Sequence, residues 1–263
     1  MQETTTHTLL TKGLKVGYTT KNKDLPIVSD ISMQLQQGEL IGLVGINGSG
    51  KSTLLRTLAG LQTPLAGEVE LMGQTMSRIP ASELAQQMSV VLTNQSLSKN
   101  LTVLELVSLG RQPYANWIGT LTASDATHIE NALIATDCLS FKNKKCYELS
   151  DGQLQRVLVA RALAQDPVIM LLDEPLSHLD LHHKAALLKL LKSIAQEQGK
   201  TVLFSTHDIE HSLSLCDRMV VLQNGNARIG TPQTLIQEGV FNTLFPSEHI
   251  TFNASTGHFS IDK

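Results

Sequence analysis

The sequence predicts an α/β fold, a sheet of buried strands with a helical insertion, and three observations carry that prediction. An apolar run, Leu40 to Val44, leads into a glycine-rich loop and then into Leu54, Leu55 and Leu58 at helical spacing. Two more strand-like runs, Val168 to Leu172 and Thr201 to His207, end in titratable residues: Asp173 and Glu174 in the first, His207 in the second. Between Leu101 and Leu139 the period turns helical, through Val103, Leu104, Val107 and Leu109 and then Ile129, Leu133 and Ile134, with Pro113 and Gly119 as interruptions.

With 263 residues, 41% of them hydrophobic, the chain is long enough for one α/β unit with a subdomain. Its 21 Lys and Arg against 24 Asp and Glu give a net charge of −3, which leaves no electrostatic footprint for nucleic acid. No apolar run reaches the roughly 18 residues of a membrane span, and Met1 to Lys12 lacks the apolar stretch of a signal peptide. A cytoplasmic protein that meets a membrane only through a partner is expected. Cys138, Cys146 and Cys216 fit neither a disulfide framework nor a zinc site and read as reduced thiols.

In chain order, Leu9 to Tyr18 and Ile27 to Leu35 read as an antiparallel pair around the polar turn Thr19 to Asp24. Tyr18 ends the first strand, where its ring either stacks on a base or is half-buried in the sheet. Next comes the loop Gly45-Ile-Asn-Gly-Ser-Gly-Lys-Ser-Thr53, whose Gly45, Gly50, Lys51 and Ser52 match Gly-x-x-x-x-Gly-Lys-Ser/Thr between strand and helix. A triphosphate is wrapped by backbone N–H groups at the positive end of a helix, and a loop nearly free of side chains lets them approach. Lys51 would meet the β- and γ-phosphates and the Ser52 hydroxyl would ligate Mg²⁺; the plainer reading is a glycine-rich turn capping an ordinary helix.

Glu68 to Leu71 then reads as a strand closed by Gly73, Ser82 to Gln87 as a short helix, and Met88 to Leu92 as a buried strand. That strand ends in Thr93-Asn-Gln95, at the edge where open α/β sheets hold ligands. The segment Gly110 to Trp117 carries the sole Trp and Tyr114; the aromatics either pack inside the helical insertion or dock a partner. Leu149-Ser-Asp-Gly-Gln153 opens a helix running to Ala164. Ser150 and Gln153 form a capping box, and the same helix end presents N–H groups and a hydroxyl to an anion. Asp173 and Glu174 either cap a strand in solvent or hold Mg²⁺ and orient an attacking water. From Thr231 an apolar helical pattern around Leu235 to Phe245 precedes a hairpin, Ile250 to Phe252 and His258 to Ile261, about a turn ending in Gly257. His178, His182, His183 and His211 form no coherent ligand set for a transition metal.

In this order the motifs resemble those of the ATP-binding cassette (ABC) ATPases over essentially the whole chain. The resemblance implies a P-loop NTPase core with an N-terminal antiparallel β-subdomain and an inserted α-helical subdomain at about 96–165, all within an ATPase domain at 9–230. Residues 231–263 are then a C-terminal extension without an assigned role. Gly45 to Thr53 is similar to Walker A, so that Gly45, Asn47, Gly48, Ser49, Gly50, Lys51, Ser52 and Thr53 hold ATP with Tyr18 under the adenine. Val168 to Glu174 is similar to Walker B, with Asp173 on Mg²⁺ and Glu174 catalytic; His207 resembles the switch histidine, and Ser177-His-Leu-Asp180 resembles the D-loop. Ser150, Gly152 and Gln153 resemble the signature, which in this family contacts the nucleotide of a second cassette. A head-to-tail dimer of this chain, beside transmembrane permease subunits at the cytoplasmic face, is implied.

Leu101 to Pro113 and His178-Leu-Asp-Leu-His182 look most like cassettes of bacterial importers for ferric siderophores, haem and cobalamin. The chain departs from the family pattern at three places. Ile46 stands where proline is common, Asp151 replaces a signature glycine, and the Q-loop position that serves Mg²⁺ falls on Thr93 with Gln95 two residues on; Gln95 is favoured for its reach. Two other functions compete: a soluble ABC ATPase acting on ribosomes or DNA, and a nucleotide-dependent scaffold without hydrolysis. The absence of a second cassette and of long heptads counts against the first, and Glu174 and His207 count against the second.

Overall fold

The structure, a computed structural model, describes residues 7–21, 23–93, 98–116, 119–245 and 250–261. Strands β1 (His7–Thr19) and β2 (Asp24–Gln36) form the expected antiparallel pair, each longer than the hydrophobic pattern alone indicates. β3 (Leu40–Gly45) and α1 (Lys51–Leu58) flank the glycine loop. β4 (Ala66–Leu71) and the two-residue β5 (Gln74–Thr75) complete a four-stranded antiparallel sheet in the order β2-β1-β4-β5.

After α2 (Ala81–Gln87) and β6 (Met88–Val91) the described residues form the α-helices α3 (Val103–Ser108), α4 (Ala123–Ala135) and α5 (Asp151–Ala164) before the chain returns as β7 (Ile169–Leu172). Then follow α6 (Leu181–Gln198), β8 (Thr201–Thr206), α7 (Ile209–Leu215), β9 (Arg218–Gln223) and β10 (Asn226–Gly230). The second sheet runs β10-β9-β3-β8-β7-β6, parallel except for β10. The apolar runs are unbroken because this sheet is covered on both faces. Alternate side chains enter two cores: Ile41, Leu43, Leu171 and Leu203 join α1 and the antiparallel sheet, whereas Met170, Leu172, Val202 and Phe204 join α5 and α6.

Register fixes where the chemistry gathers. Val44 pairs with Thr206, Phe204 with Leu172, and Leu172 with Val91. The loop after β3, His207 after β8, Asp173 and Glu174 after β7, and Thr93 after β6 therefore leave one carboxyl edge together, where open parallel sheets hold ligands.

The helical stretch between Leu101 and Leu139 is not one periodic run. α3 passes into a 3₁₀ turn, Leu109–Tyr114, because Pro113 has no N–H to continue an α-helix, and α4 starts anew at the Thr122 cap. The turn buries Arg111, whose Nε donates to Asp125 Oδ1 (2.8 Å) and whose Nη1 donates to the Ala164 carbonyl (2.9 Å). Tyr114 takes the packing role of the two offered to it. Its ring lies 3.8 Å from the Arg111 guanidinium carbon, and its hydroxyl reaches the carbonyls of Gln86 (3.2 Å) and Gln165 (3.0 Å). Trp117 lies outside the described residues.

The Asp125 carboxyl is held down to about 2, from an ordinary 3.8, chiefly by the Thr122 backbone N–H, then by the Thr122 hydroxyl and Arg111. A depressed carboxylate stabilises the fold above its unfolded pKa and loses that contribution as pH falls through its folded one. Stability should therefore decline as pH drops from 3.8 to about 2, and Asp125→Asn should flatten that decline in denaturant titrations. Arg111→Met leaves a buried carboxylate without its cation and should lower stability by roughly 3–5 kcal/mol.

α6, α7, β9 and β10 are elements not anticipated above. For α6 the signal is present, since Leu187, Leu188, Leu191, Ile194 and Ala195 recur at helical spacing and are buried. The expected helix around Leu235 to Phe245 is instead α8 (Pro232–Gln237) and a 3₁₀ turn, Val240–Thr243. Gly239, at φ 69°, breaks it in the left-handed conformation that ends helices. The hairpin forms as β11 (Ile250–Asn253) and β12 (His258–Ile261).

Candidate nucleotide-binding site

The loop at Gly45–Gly50 is a tight cradle. A Cβ on Gly45 would lie 2.5 Å from Ser49 Oγ and 2.7 Å from the Leu222 carbonyl, and one on Gly50, at φ 102°, would lie 2.7 Å from Ile27 Cγ2. These two positions exclude side chains. The Ser49 hydroxyl is buried with no hydrogen-bond partner among the described residues, a polar atom that a phosphate oxygen at the helix end would satisfy. Lys51 is buried, and its ammonium donates to the carbonyls of Gly45 (2.9 Å) and Ile46 (3.4 Å). Burial pushes its pKa down, while Glu174 and Asp173 pull it back up.

Asp173 collects three hydroxyls. Its Oδ1 accepts from Ser52 (3.1 Å) and Ser205 (2.8 Å), and its Oδ2 accepts from Thr93 (2.9 Å). Ser205 is a site residue that the sequence reading passed over. It also accepts from the Glu174 N–H (2.8 Å), so one buried hydroxyl orients both acidic residues. Its place two residues before His207, at the polar end of a strand whose middle is apolar, is the signal that could have identified it.

Glu174 sits at φ 49°, uncommon for a residue with a side chain, and its carbonyl is held by the Ser177 N–H (3.1 Å) and hydroxyl (2.9 Å). Its Oε1 lies 2.5 Å from His207 Nε2, and His207 Nδ1 lies 3.4 Å from the Lys51 ammonium. Both contacts are met by one tautomer, with Nε2–H donating to Glu174 and Nδ1 accepting from Lys51. Lys51, His207 and Glu174 are thus one chain of contacts across three strand ends. Tyr18 is about half exposed (49%), and its hydroxyl lies 3.1 Å from Thr53 Oγ1. Its hydroxyl therefore borders the end of the loop, and its ring is half-buried. Asn47 and Gly48 lie in the exposed part of the loop.

The segment at Ser150 is a capping box. Its hydroxyl accepts from the Gln153 N–H (3.3 Å), and Gln153 Oε1 accepts from the Ser150 N–H (3.1 Å). Gly152 abuts α6, where a Cβ would lie 2.4 Å from His183 Cδ2. Asp180 caps α6 and holds the His183 ring at 2.8 Å. Among the described residues Ser150, Gly152 and Gln153 make no hydrogen bond to the phosphate loop. Asp151 instead lines a cleft of about 260 Å³ together with Thr93, Leu154, Asp173, Glu174 and Ser177. Gln95 lies outside the described residues, whereas Thr93 stands on Asp173.

Residues 28–177 match the family model described as ABC transporter. The chain belongs to the ABC transporter family. Its ATP-binding cassette is an ATPase with the family's mixed α/β P-loop architecture. Over 238 residues it is 34% identical to the achromobactin transport ATP-binding protein of Dickeya dadantii, covering 90% of this chain and 87% of that one. Over 233 residues it is 36% identical to the iron(3+)-hydroxamate import ATP-binding protein of Bacillus subtilis, covering 89% of this chain and 82% of that one. The dimeric structure of a bacterial ABC transporter cassette superposes with a TM-score of 0.72 at 29% identity, covering 85% of this chain and 98% of that one.

Proposed function

We propose that this cassette energises a membrane importer for ferric siderophores or related metal chelates. The observation that carries the reading is the convergence of Lys51, Asp173, Glu174 and His207 at one sheet edge, in a chain similar to two iron-chelate transport cassettes. We assign the cassette to 9–230, with a helical subdomain at about 96–165, and leave 231–263 as an extension.

In this proposal the backbone of Gly45 to Thr53 wraps the triphosphate, Lys51 turns from its carbonyl partners onto the β- and γ-phosphates, and Tyr18 supports the adenine. Glu174 accepts the proton of the attacking water, and His207 fixes that carboxylate and contacts the γ-phosphate. The hydroxyls of Ser52 and Thr93 and the Asp173 carboxylate are hard oxygen donors that fit a magnesium ion. When bound, that ion neutralises charge on the β- and γ-phosphates. Ser150, Gly152, Gln153 and Asp180 serve the nucleotide of a second copy, paired head to tail; their purely local bonding in this chain supports that role. Asp151 then brings a carboxylate toward the partner's phosphates, opposing closure. No helix among the described residues is long and apolar enough to cross a membrane, and we assign membrane contact to permease subunits at the cytoplasmic face.

We propose Thr93, whose hydroxyl donates to Asp173, for the Q-loop role in place of the Gln95 favoured from sequence. Thr93→Ala should cut ATP turnover at least tenfold, about the 1–3 kcal/mol of a buried acceptor left short of a partner, while Gln95→Ala should cost less than about threefold. Phosphate release at saturating ATP distinguishes them, and the reverse order would return the role to Gln95.

Growth tests the substrate class. Disrupting the gene should prevent growth on iron supplied as a hydroxamate or other siderophore, or as haem, and excess ferric salt should restore it. Failure confined to cobalamin scavenging would move the assignment within the chelate class, and a sugar, peptide or lipid phenotype alone would overturn it.

A further inference from the structure

Among the described residues, those beyond β10 make no contact with the phosphate loop, Asp173, Glu174 or His207, yet they are tied to the helix that follows His207. The hairpin β11–β12 carries Phe252 and Phe259 on its inner face, with ring centroids 4.9 Å apart. Phe252 meets Phe241 at 5.2 Å and Phe259 meets Phe245 at 5.0 Å, and this aromatic group packs against the larger core. Thr251 and Ser260 face outward, and Ile261 is exposed at the strand's end.

One polar residue ties this hairpin to the cassette. Glu210, in the first turn of α7, accepts the Phe259 N–H at Oε1 (2.9 Å), and its Oε2 lies 3.1 Å from His258 Nδ1. These bonds hold the Glu210 carboxyl below its ordinary range, the Phe259 N–H contributing most. On the same stretch Asp208 accepts from Lys184 of α6 (3.1 Å), and its N–H donates to Thr206 Oγ1 (2.9 Å). α7 has seven residues and the hairpin two strands. Neither length is stable alone, so each depends on the other and on the core.

We propose that Glu210 is a positioning residue for His207, through which the C-terminal hairpin grips α7 and holds the histidine against Glu174. The proposal rests on the reading of His207 as the residue that fixes Glu174 and meets the γ-phosphate. Without the bonds to Glu210 the start of α7 keeps its ties through Asp208 but loses the hairpin's hold, and the imidazole shifts from its 2.5 Å contact with the carboxylate. Displacement of a catalytic group by an ångström costs up to about a hundredfold in rate, while the backbone of the phosphate cradle, built on β3 and α1, does not depend on His207.

The test uses the full chain and ATP with Mg²⁺. Glu210→Ala should lower kcat by roughly ten- to a hundredfold and leave the KM for ATP within about twofold. Glu210→Gln, which keeps the acceptor for the Phe259 N–H, should recover most of the rate, and Thr251→Ala on the outer face should keep all of it. In a His207→Ala background, Glu210→Ala should cost nothing further, since the two losses share one route. If Glu210→Ala does not fold, Phe259→Ala carries the same comparison: reduced kcat, unchanged KM, and no added loss without His207. Full kcat in these variants beside a slow His207→Ala would overturn the hairpin's role alone. Equal added losses with and without His207 would overturn the route through that residue. Full turnover in His207→Ala itself would overturn both the reading of His207 and the role built on it.

Discussion

Glu174→Gln should reduce ATP turnover by roughly a hundred- to ten-thousandfold, the range of a lost general base, while nucleotide affinity stays close to that of the unmodified protein. The substitution is nearly isosteric. An amide keeps an oxygen to accept from His207 Nε2–H, and the backbone bonds from Glu174 N–H to Ser205 and from Ser177 to the Glu174 carbonyl do not involve the carboxylate. What is lost is basicity alone, so the defect should fall on kcat and leave binding intact. Binding without hydrolysis should also make a dimer accumulate with ATP, since the step that separates the two copies is blocked. Phosphate release and size-exclusion chromatography with and without ATP measure the two effects. Turnover at the original rate would remove Glu174 from the reaction.

Lys51→Ala should weaken ATP binding by about a hundredfold, near 3 kcal/mol, the value of a charge-assisted hydrogen bond made in a buried setting. The lysine is buried at the helix end, and its ammonium now occupies the Gly45 and Ile46 carbonyls and the His207 ring, all within reach of a phosphate in the loop. Alanine leaves the backbone cradle standing, so some affinity should remain. The loss should be larger for ATP than for AMP, which lacks the β- and γ-phosphates. Fluorescent-nucleotide titration gives both constants, and equal affinity for ATP in the two proteins would take Lys51 out of the site.

The two variants should differ in a third respect. Glu174→Gln should bind ATP and then dimerise, whereas Lys51→Ala should do neither at nucleotide concentrations that saturate the unmodified chain. A single chromatographic series therefore separates a base from a phosphate ligand, although both groups border the same histidine.

The sequence by itself determined what is local in this protein. A phosphate loop is a contiguous stretch whose glycines are set by how close backbone must come to a ligand, so Gly45 to Thr53 declares itself without a fold. Buried parallel strands read as apolar runs, which marked Leu40 to Val44 and Val168 to Leu172 and put Asp173, Glu174 and His207 at strand ends. The Ser150 and Gln153 capping box and the terminal hairpin are likewise written in neighbouring residues.

Only the tertiary structure decided which distant residues share an atom. Thr93 reaches Asp173 across 80 residues, and Ser205 reaches it across 32. Lys51 meets His207 across 156, and Phe259 meets Glu210 across 49. Each pairing follows from the strand order β9-β3-β8-β7-β6 and its register, or from the return of the tail onto α7. No residue pattern along the chain encodes strand order, because hydrophobicity fixes which face of an element is buried but not which neighbour buries it. For the same reason Tyr114, an ambiguous aromatic in sequence, became a tie between the helical insertion and the ends of α2 and α5 once Arg111, Gln86 and Gln165 were brought around it.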